Sequence, residues 1–386
     1  MMKLKKLVSG RIKYSLVIAC MAFVSCSPGK NAKTSEFFSP TTVLKLSPSD
    51  GNPRNSEGDF VSLNDGRILF VYTRYYGDSS SDHAPALLSG RYSDDGGKTW
   101  TNEDEIILEN EGTMNVMSVS LLRLQNGDIA LFYLRKNSTE DCLPMLRVSK
   151  DDGKSWSEAI SCIRDKEGYF VLNNNRVIQL ESGRLLMPVA LHNVPGGEWS
   201  NKAALYCYFS DDNGETWYAG SQVPDHTDII TQEPGLIEMK DGRVMMYIRA
   251  SGGFQQLSYS SDEGETWSEI EKSNIVSPLS PASMVKVPNS DDWLLVWNNN
   301  DGSDPNIKNK RTPLTAAISK DEGKTWKYLK NIQDDPDGWY CYTAIHFVDD
   351  NNVLLGYCAG SQLEKTHLSI TDVTLFDINW LFDQTN

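Results

Sequence analysis

The chain has 386 residues, 52 of them acidic and 37 basic, giving a formal charge of −15 with 39% hydrophobic side chains. That mix lies in the range of folded globular proteins and excludes a largely disordered chain, while the negative balance argues against a surface that wraps nucleic-acid phosphates. Ten Trp and 28 Gly are the unusual counts, and both prove to be organised once the chain is read from its N-terminus.

Lys3, Lys5, Lys6, Arg11 and Lys13 form a basic leader without an acidic residue, and an apolar run follows from Tyr14 to Val24. The run has the length of a signal-peptide core and is too short to span a bilayer. Ser25-Cys26, followed by Ser27-Pro28-Gly29-Lys30, resembles a bacterial lipobox. Residues 1–25 are therefore expected to be a lipoprotein signal peptide, Cys26 the lipidated first residue of an exported chain, and residues 26–39 a flexible tether to a membrane. An ordinary cleaved signal with an incidental Cys is the alternative. Loss of the five basic residues takes the formal charge from −15 to −20.

Residues 40–386 repeat. Thr41–Leu46 is a first strand. Asp65-Gly66, Asn126-Gly127, Ser182-Gly183 and Asp241-Gly242 then read as two-residue hairpin turns between apolar strands, with Ser290-Asp291 and Asn351-Asn352 in the equivalent place of two more units. After five of these hairpins comes Ser-x-Asp-x-Gly-x-Thr/Ser-Trp, beginning at Ser93, Ser149, Ser210, Ser260 and Ser319 and ending at Trp100, Trp156, Trp217, Trp267 and Trp326. Each copy follows a run of strand period, such as Leu205–Phe209. The motif suits a hairpin turn: Ser and Asp bond the turn's own backbone, Gly supplies a positive φ, and Trp packs back over the strands. The sixth unit ends in an alternating strand, Thr366–Leu375, without the motif. Four strands repeated six times without helical pattern predict an all-β, six-bladed β-propeller of four-stranded antiparallel blades, with Thr41–Leu46 completing the last blade.

The remaining Cys residues, Cys142, Cys162, Cys207, Cys341 and Cys358, are irregularly spaced, and the five His are scattered, so neither a disulfide framework nor a metal site is indicated. No cofactor is expected.

The five copies at this spacing resemble the Asp-box (BNR) repeats of the sialidase superfamily, over roughly residues 40–380. Boxes of this kind are structural and occur in propellers without catalysis, so function has to come from the other rim. The resemblance implies an exo-α-sialidase that removes terminal sialic acid from glycans with retention. A carboxylate on the anomeric carbon calls for Arg residues, which bind it bidentately and stay charged, and for a Tyr nucleophile in place of a carboxylate. A Glu must take the phenol proton, and a separate Asp serves as acid and then base. By position in the family pattern these are Tyr342, Glu233 and Asp82, with Arg54, Arg249 and Arg311 on the substrate carboxylate.

Two departures from the pattern stand out. The family's first Arg opens the first inner strand as Arg-Ile-Pro, whereas here it is Arg54 in Pro53-Arg54-Asn55 or, at the far end of the hairpin, Arg74. The Glu that usually orients that Arg is replaced by Leu355-Gly356-Tyr357-Cys358, and Glu57 is a substitute. Asp78 competes with Asp82 for the acid/base place. Asn173-Asn174-Asn175-Arg176, His192-Asn193 and Asn298-Asn299-Asn300-Asp301 suit sugar hydroxyls or plain turns equally, and His83, beside Asp82, is read as a loop residue, with contact to a bound sugar or the leaving group as the alternative. Partners are sialylated or other acidic glycans and a membrane through the lipid anchor, with no nucleic acid, and a monomer is expected. A hydrolase or lyase on uronate-bearing glycans and a glycan-binding lipoprotein without catalysis are the alternatives.

Overall fold

The computed structural model describes residues 38–383; the predicted leader, Cys26 and nearly all of the tether lie outside them. After β1 (Thr41–Leu46), four antiparallel strands run in chain order: β2 (Asn55–Ser62), β3 (Ile68–Tyr75), β4 (Ala86–Ser93) and β5 (Glu105–Leu108). The next group is β6 (Asn115–Arg123), β7 (Ile129–Lys136), β8 (Cys142–Ser149) and β9 (Ile160–Ser161). It is followed by β10 (Tyr169–Val171), β11 (Ile178–Gln179), β12 (Leu185–Asn193), β13 (Ala204–Ser210) and β14 (Tyr218–Ala219). One parallel pairing, Tyr169 with Cys142, joins these two groups into a nine-stranded sheet.

Two more four-stranded antiparallel sheets follow. They are β15 (Thr231–Glu238), β16 (Val244–Ala250), β17 (Phe254–Ser260) and β18 (Glu271–Val276), then β19 (Ser283–Lys286), β20 (Trp293–Asn298), β21 (Leu314–Ser319) and β22 (Lys327–Gln333). The last sheet holds β23 (Gly338–Phe347), β24 (Asn352–Ser361) and β25 (Thr371–Asp377), and its fourth strand is β1, with Leu46 opposite Thr371 and Thr41 opposite Leu375. A single helical turn, α1 (Asn379–Phe382), ends the described chain.

All five boxed segments fall between the last two strands of a group, and their chemistry is uniform. The Ser Oγ donates to the Asp Oδ1 at 2.7–3.0 Å and accepts from the Gly N–H at 2.8–2.9 Å. Each of those glycines has φ between +80° and +93°, where an L side chain is strained.

Two expectations need correction. The Gly hairpins are three-residue loops. In the first, Gly66 N–H donates to Leu63 O and Leu63 N–H to Arg67 O, with φ +89° at Gly66 and an ordinary negative φ at Asp65. This is a type I turn followed by a left-handed bulge residue, which needs only one positive φ, instead of the two of a two-residue turn. The final strand begins at Thr371, because Thr366–Ser369 closes on itself: Ser369 N–H donates to Thr366 O at 2.6 Å and His367 takes φ +33°.

Apolar clusters fill the spaces between neighbouring sheets. The first strands lie against one another, β2 beside both β6 and β23, β15 beside β19, and β19 beside β23. Polar groups tie them together. Asn174 Nδ2 donates to both Gly58 O and Tyr342 O at 2.9 Å, and Arg176, fully buried, bonds Ser283 Oγ and Ala282 O.

Candidate active site

Four of these inner strands bulge near their starts, with register shifts at Ser56/Asp59 in β2, Met117/Ser120 in β6, Gln232/Pro234 in β15 and Cys341/Ala344 in β23. At each bulge one non-glycine residue is left-handed: Glu57 (φ 48°), Ser118 (φ 59°), Glu233 (φ 41°) and Tyr342 (φ 58°). Such a conformation costs of order 1–3 kcal/mol and persists only where the surroundings impose it. Here the four bulged residues line one open cavity of about 260 Å³. The bulge turns each side chain away from its sheet and toward the shared space.

Glu233, Arg249 and Tyr342 meet there. Arg249 Nη1 lies 2.7 Å from Glu233 Oε1 and 3.4 Å from the Tyr342 hydroxyl, which donates to Glu233 Oε1 at 3.3 Å. The pairing of β15 with β16 explains the meeting, since Gln232 stands opposite Arg249 at the same end of the hairpin. Arg311, from the loop before β21, sits over the Tyr342 ring at 5.4 Å and the Trp339 ring at 5.1 Å, and donates to Cys341 Sγ at 3.0 Å. Burial opposes ionisation of Glu233, but the guanidinium groups of Arg249 and Arg311 outweigh it and hold the carboxyl below its ordinary range. Burial and the Glu233 charge together raise the Tyr342 phenol above its ordinary value.

Arg54 is buried, stacked over the Tyr75 ring at 4.6 Å, and bonds Ser56 Oγ at 3.1 Å and Glu57 Oε1 at 3.5 Å. Its Nη1 also holds the Asp82 carboxylate in a short contact. Desolvation pushes the Asp82 carboxyl up, yet the Arg54 charge prevails and lowers it. Burial raises Glu57 despite Arg54, and Ser118 Oγ donates to its other oxygen. Arg74 pairs with Asp104 at 3.3 Å and Asp78 is exposed; neither lines the cavity, and Arg54 and Arg311 reach it only through the lining residues they contact, Glu57 and Asp82 for Arg54 and Tyr342 for Arg311. Among the described residues, Glu233 Oε2, Arg249 Nε, Arg54 Nε and Asn173 Nδ2 are buried without a hydrogen-bond partner, an unusual concentration for one region.

The amide-rich segments divide. Asn173 and His192 line the cavity, whereas Asn174, Asn175 and Arg176 cross-link the inner strands beneath it, and Asn300 bonds three carbonyls of its own loop. Asn193 reaches Thr139 O, and His83 is exposed. Sequence reasoning missed Ser118, Lys136, Tyr169 and Trp199. Trp199 stacks on His192 at 4.9 Å and meets the Tyr169 ring edge-on at 5.1 Å, giving the cavity an aromatic wall. No group of three or more His, Cys, Asp or Glu side chains suited to a metal occurs among the described residues.

Residues 87–355 match the BNR repeat-like domain family, and the chain belongs to the sialidase/BNR-repeat superfamily. It is 27% identical over 356 residues to a sialidase of Bacteroides fragilis, covering 82% of this chain and 61% of that protein. It is 26% identical over 277 residues to the anhydrosialidase of Macrobdella decora, covering 65% and 34%. The chain thus spans less than two thirds of either relative. The solved NanB sialidase of Streptococcus pneumoniae shares the fold, with a TM-score of 0.69 at 15% identity over 88% of this chain and 70% of that one.

Proposed function

We propose that this protein is an exo-α-sialidase acting on terminal sialic acid of glycoconjugates with retention of configuration, on a six-bladed propeller with five Asp-boxes whose ring β1 completes. The observation that carries the reading is the contact of Tyr342, Glu233 and Arg249 at the mouth of one cavity, with Arg311 over the same phenol ring. Arg54, Arg249 and Arg311 hold the substrate carboxylate, and Arg54 takes the first-Arg role because its partners Glu57 and Asp82 line the cavity, whereas Asp104, the partner of Arg74, does not.

The empty site stores its proton on the phenol, since Glu233 is held ionised by Arg249 and Tyr342 is raised. A substrate carboxylate competes for Arg249 and Arg311, and Glu233, released from them, becomes the stronger base. The substrate carboxylate also draws Arg54 from Asp82, which then takes up a proton from solvent. Tyr342 Oη bonds to the anomeric carbon as its proton passes to Glu233, the glycosidic C–O bond breaks, and Asp82 protonates the departing oxygen. In the second half Asp82 removes a proton from water, whose oxygen bonds to the anomeric carbon as the bond to Tyr342 Oη breaks and Glu233 returns the proton to the phenol. Residues 1–25 serve as the signal and Cys26 as the lipid-bearing residue, which places the enzyme outside the cytoplasm on a membrane as a monomer.

Turnover of a fluorogenic sialoside by residues 27–386 is the test, with Tyr342→Phe expected to lose at least about a hundredfold in kcat. Absence of turnover, or full activity in Tyr342→Phe, overturns the mechanism; release from uronate-bearing oligosaccharides, or glycan binding without turnover, supports the other two classes. The similarity to an anhydrosialidase favours one variant of the reading, intramolecular transfer. Product mass decides it, because an anhydro product is lighter than the free sugar by one water.

A further inference from the structure

Lys136 ends β7 and is buried to 1% exposure, yet among the described residues it forms no ion pair. A buried ammonium is costly unless its charge and donors are used. One donor is used: Nζ bonds the backbone carbonyl of Asp82 at 2.8 Å, and Asn115 Nδ2 bonds the same carbonyl at 2.9 Å and Ala84 O at 2.8 Å. The Asp82 loop is thereby stitched to the β6–β7 hairpin. The ammonium also lies 5.3 Å from the centre of the Tyr169 ring. It has two further N–H donors with no other hydrogen-bond partner among the described residues, its charge acts on the nearby Asp82 carboxyl, and it lines the cavity with Asp82, Met117, Leu134 and Tyr169. Burial of the ammonium makes whatever those donors bind there a strong contact. The proposed carboxylate-binding role already falls to Arg249, which lines the cavity, and to Arg54 and Arg311, so a second anion is not what the position calls for. The complementary group is a neutral oxygen of the sugar close to Asp82.

We propose that Lys136 is a specificity-determining residue whose ammonium donates to one hydroxyl of the bound sugar on the Asp82 side of the cavity, so that substrates lacking or masking that hydroxyl are rejected. This rests on the sialidase reading above. The test uses the full chain and a set of fluorogenic sialosides, each lacking one hydroxyl. For the wild type, one analogue loses about ten- to a hundredfold in kcat/KM, the range of a charged hydrogen bond. Lys136→Met loses a similar factor on the parent sialoside, shows no further loss on that one analogue, and retains the wild-type penalties on the rest. Lys136→Arg, which keeps a cation with donors, recovers part of the discrimination, and Lys136→Gln reports the same coupling should the Met variant not fold. A purely structural role would lower all analogues in parallel, and that result overturns the assignment while leaving the sialidase reading intact. Failure of the wild type to turn over the parent sialoside overturns both.

Discussion

Replacing Glu233 by Gln separates its two duties. In the folded protein it neutralises Arg249 across 2.7 Å with side-chain exposures of 12% and 10%, and in the proposed reaction it accepts the Tyr342 proton across 3.3 Å. Gln is isosteric and still offers Oε1 to Arg249, so the loss in stability is that of a charge-assisted bond turned neutral, about 1–2 kcal/mol. Removing a partner altogether, as in Glu233→Ala, strands the buried Arg249 and costs about 3–5 kcal/mol. Catalysis responds more steeply, because an amide cannot take a proton: kcat falls about a hundredfold to ten-thousandfold. KM is expected to stay level or fall, since Arg249 is freed from a competing carboxylate and meets the substrate unpaired. Steady-state kinetics on a fluorogenic sialoside and urea unfolding of the same preparation give both numbers. A Glu233→Gln enzyme that keeps kcat within threefold of wild type refutes the base assignment, and one whose kcat falls as expected while its KM rises refutes the competition argument.

Asp82→Asn should lose activity on natural glycosides far more than on aryl glycosides, whose leaving groups need less protonation, whereas Asp78→Asn should remain within about twofold of wild type; equal losses would reopen the choice between them. In a boxed turn, Asp262→Ala removes the acceptor of Ser260 Oγ, Thr266 N–H and Thr266 Oγ1, for a loss of about 1–2 kcal/mol in urea unfolding with kcat/KM unchanged. His346 is half-buried, bonded to Ser62 Oγ at 2.9 Å, and burial lowers it from the ordinary 6.5 to about 4. Between those values the native state binds fewer protons than the unfolded chain, so stability falls as pH drops from 6.5 toward 4 and is level above, by up to about 3 kcal/mol. His346→Gln should flatten that part of the pH–urea midpoint curve, and an unchanged slope would assign the acid sensitivity to other groups.

The repeat was legible because its information is local. A boxed turn is specified by an Asp that gathers three donors and a Gly that must be left-handed, and both can be seen within eight residues. The hairpins were placed correctly for the same reason, although the sequence could not separate a turn with one positive φ from a turn with two. The nine-stranded sheet was not foreseen, because its single parallel link between Tyr169 and Cys142 depends on residues from different repeats. Nor were the bulges. Nothing in Ser118-Val119 or Tyr342-Thr343 announces a left-handed residue, since the conformation is imposed by neighbouring strands. Arg249 and Glu233 could be paired from the hairpin register alone. Lys136 was missed because a Lys at a strand end ordinarily reads as solvated surface, and its burial is decided by the Asp82 loop, some 54 residues earlier.

A chain of formal charge −15 can present a site for an anion when its positive charge is concentrated locally. Arg54, Arg249, Arg311 and Lys136 bring four positive charges to the region, against three carboxylates, Glu57, Asp82 and Glu233, and burial raises the first of these so that it ionises least readily. The local balance is therefore positive by at least one charge. Much of the acidic excess lies in boxes and turns such as Asp95, Asp211 and Asp241, which are exposed. At physiological ionic strength charges in solvent are screened beyond about 8 Å. A buried pair at 4 Å still interacts by about 4 kcal/mol at an effective dielectric near 20. The near, buried positive charges thus set the sign that a ligand meets in the cavity, and the distant negative ones affect mainly solubility and approach.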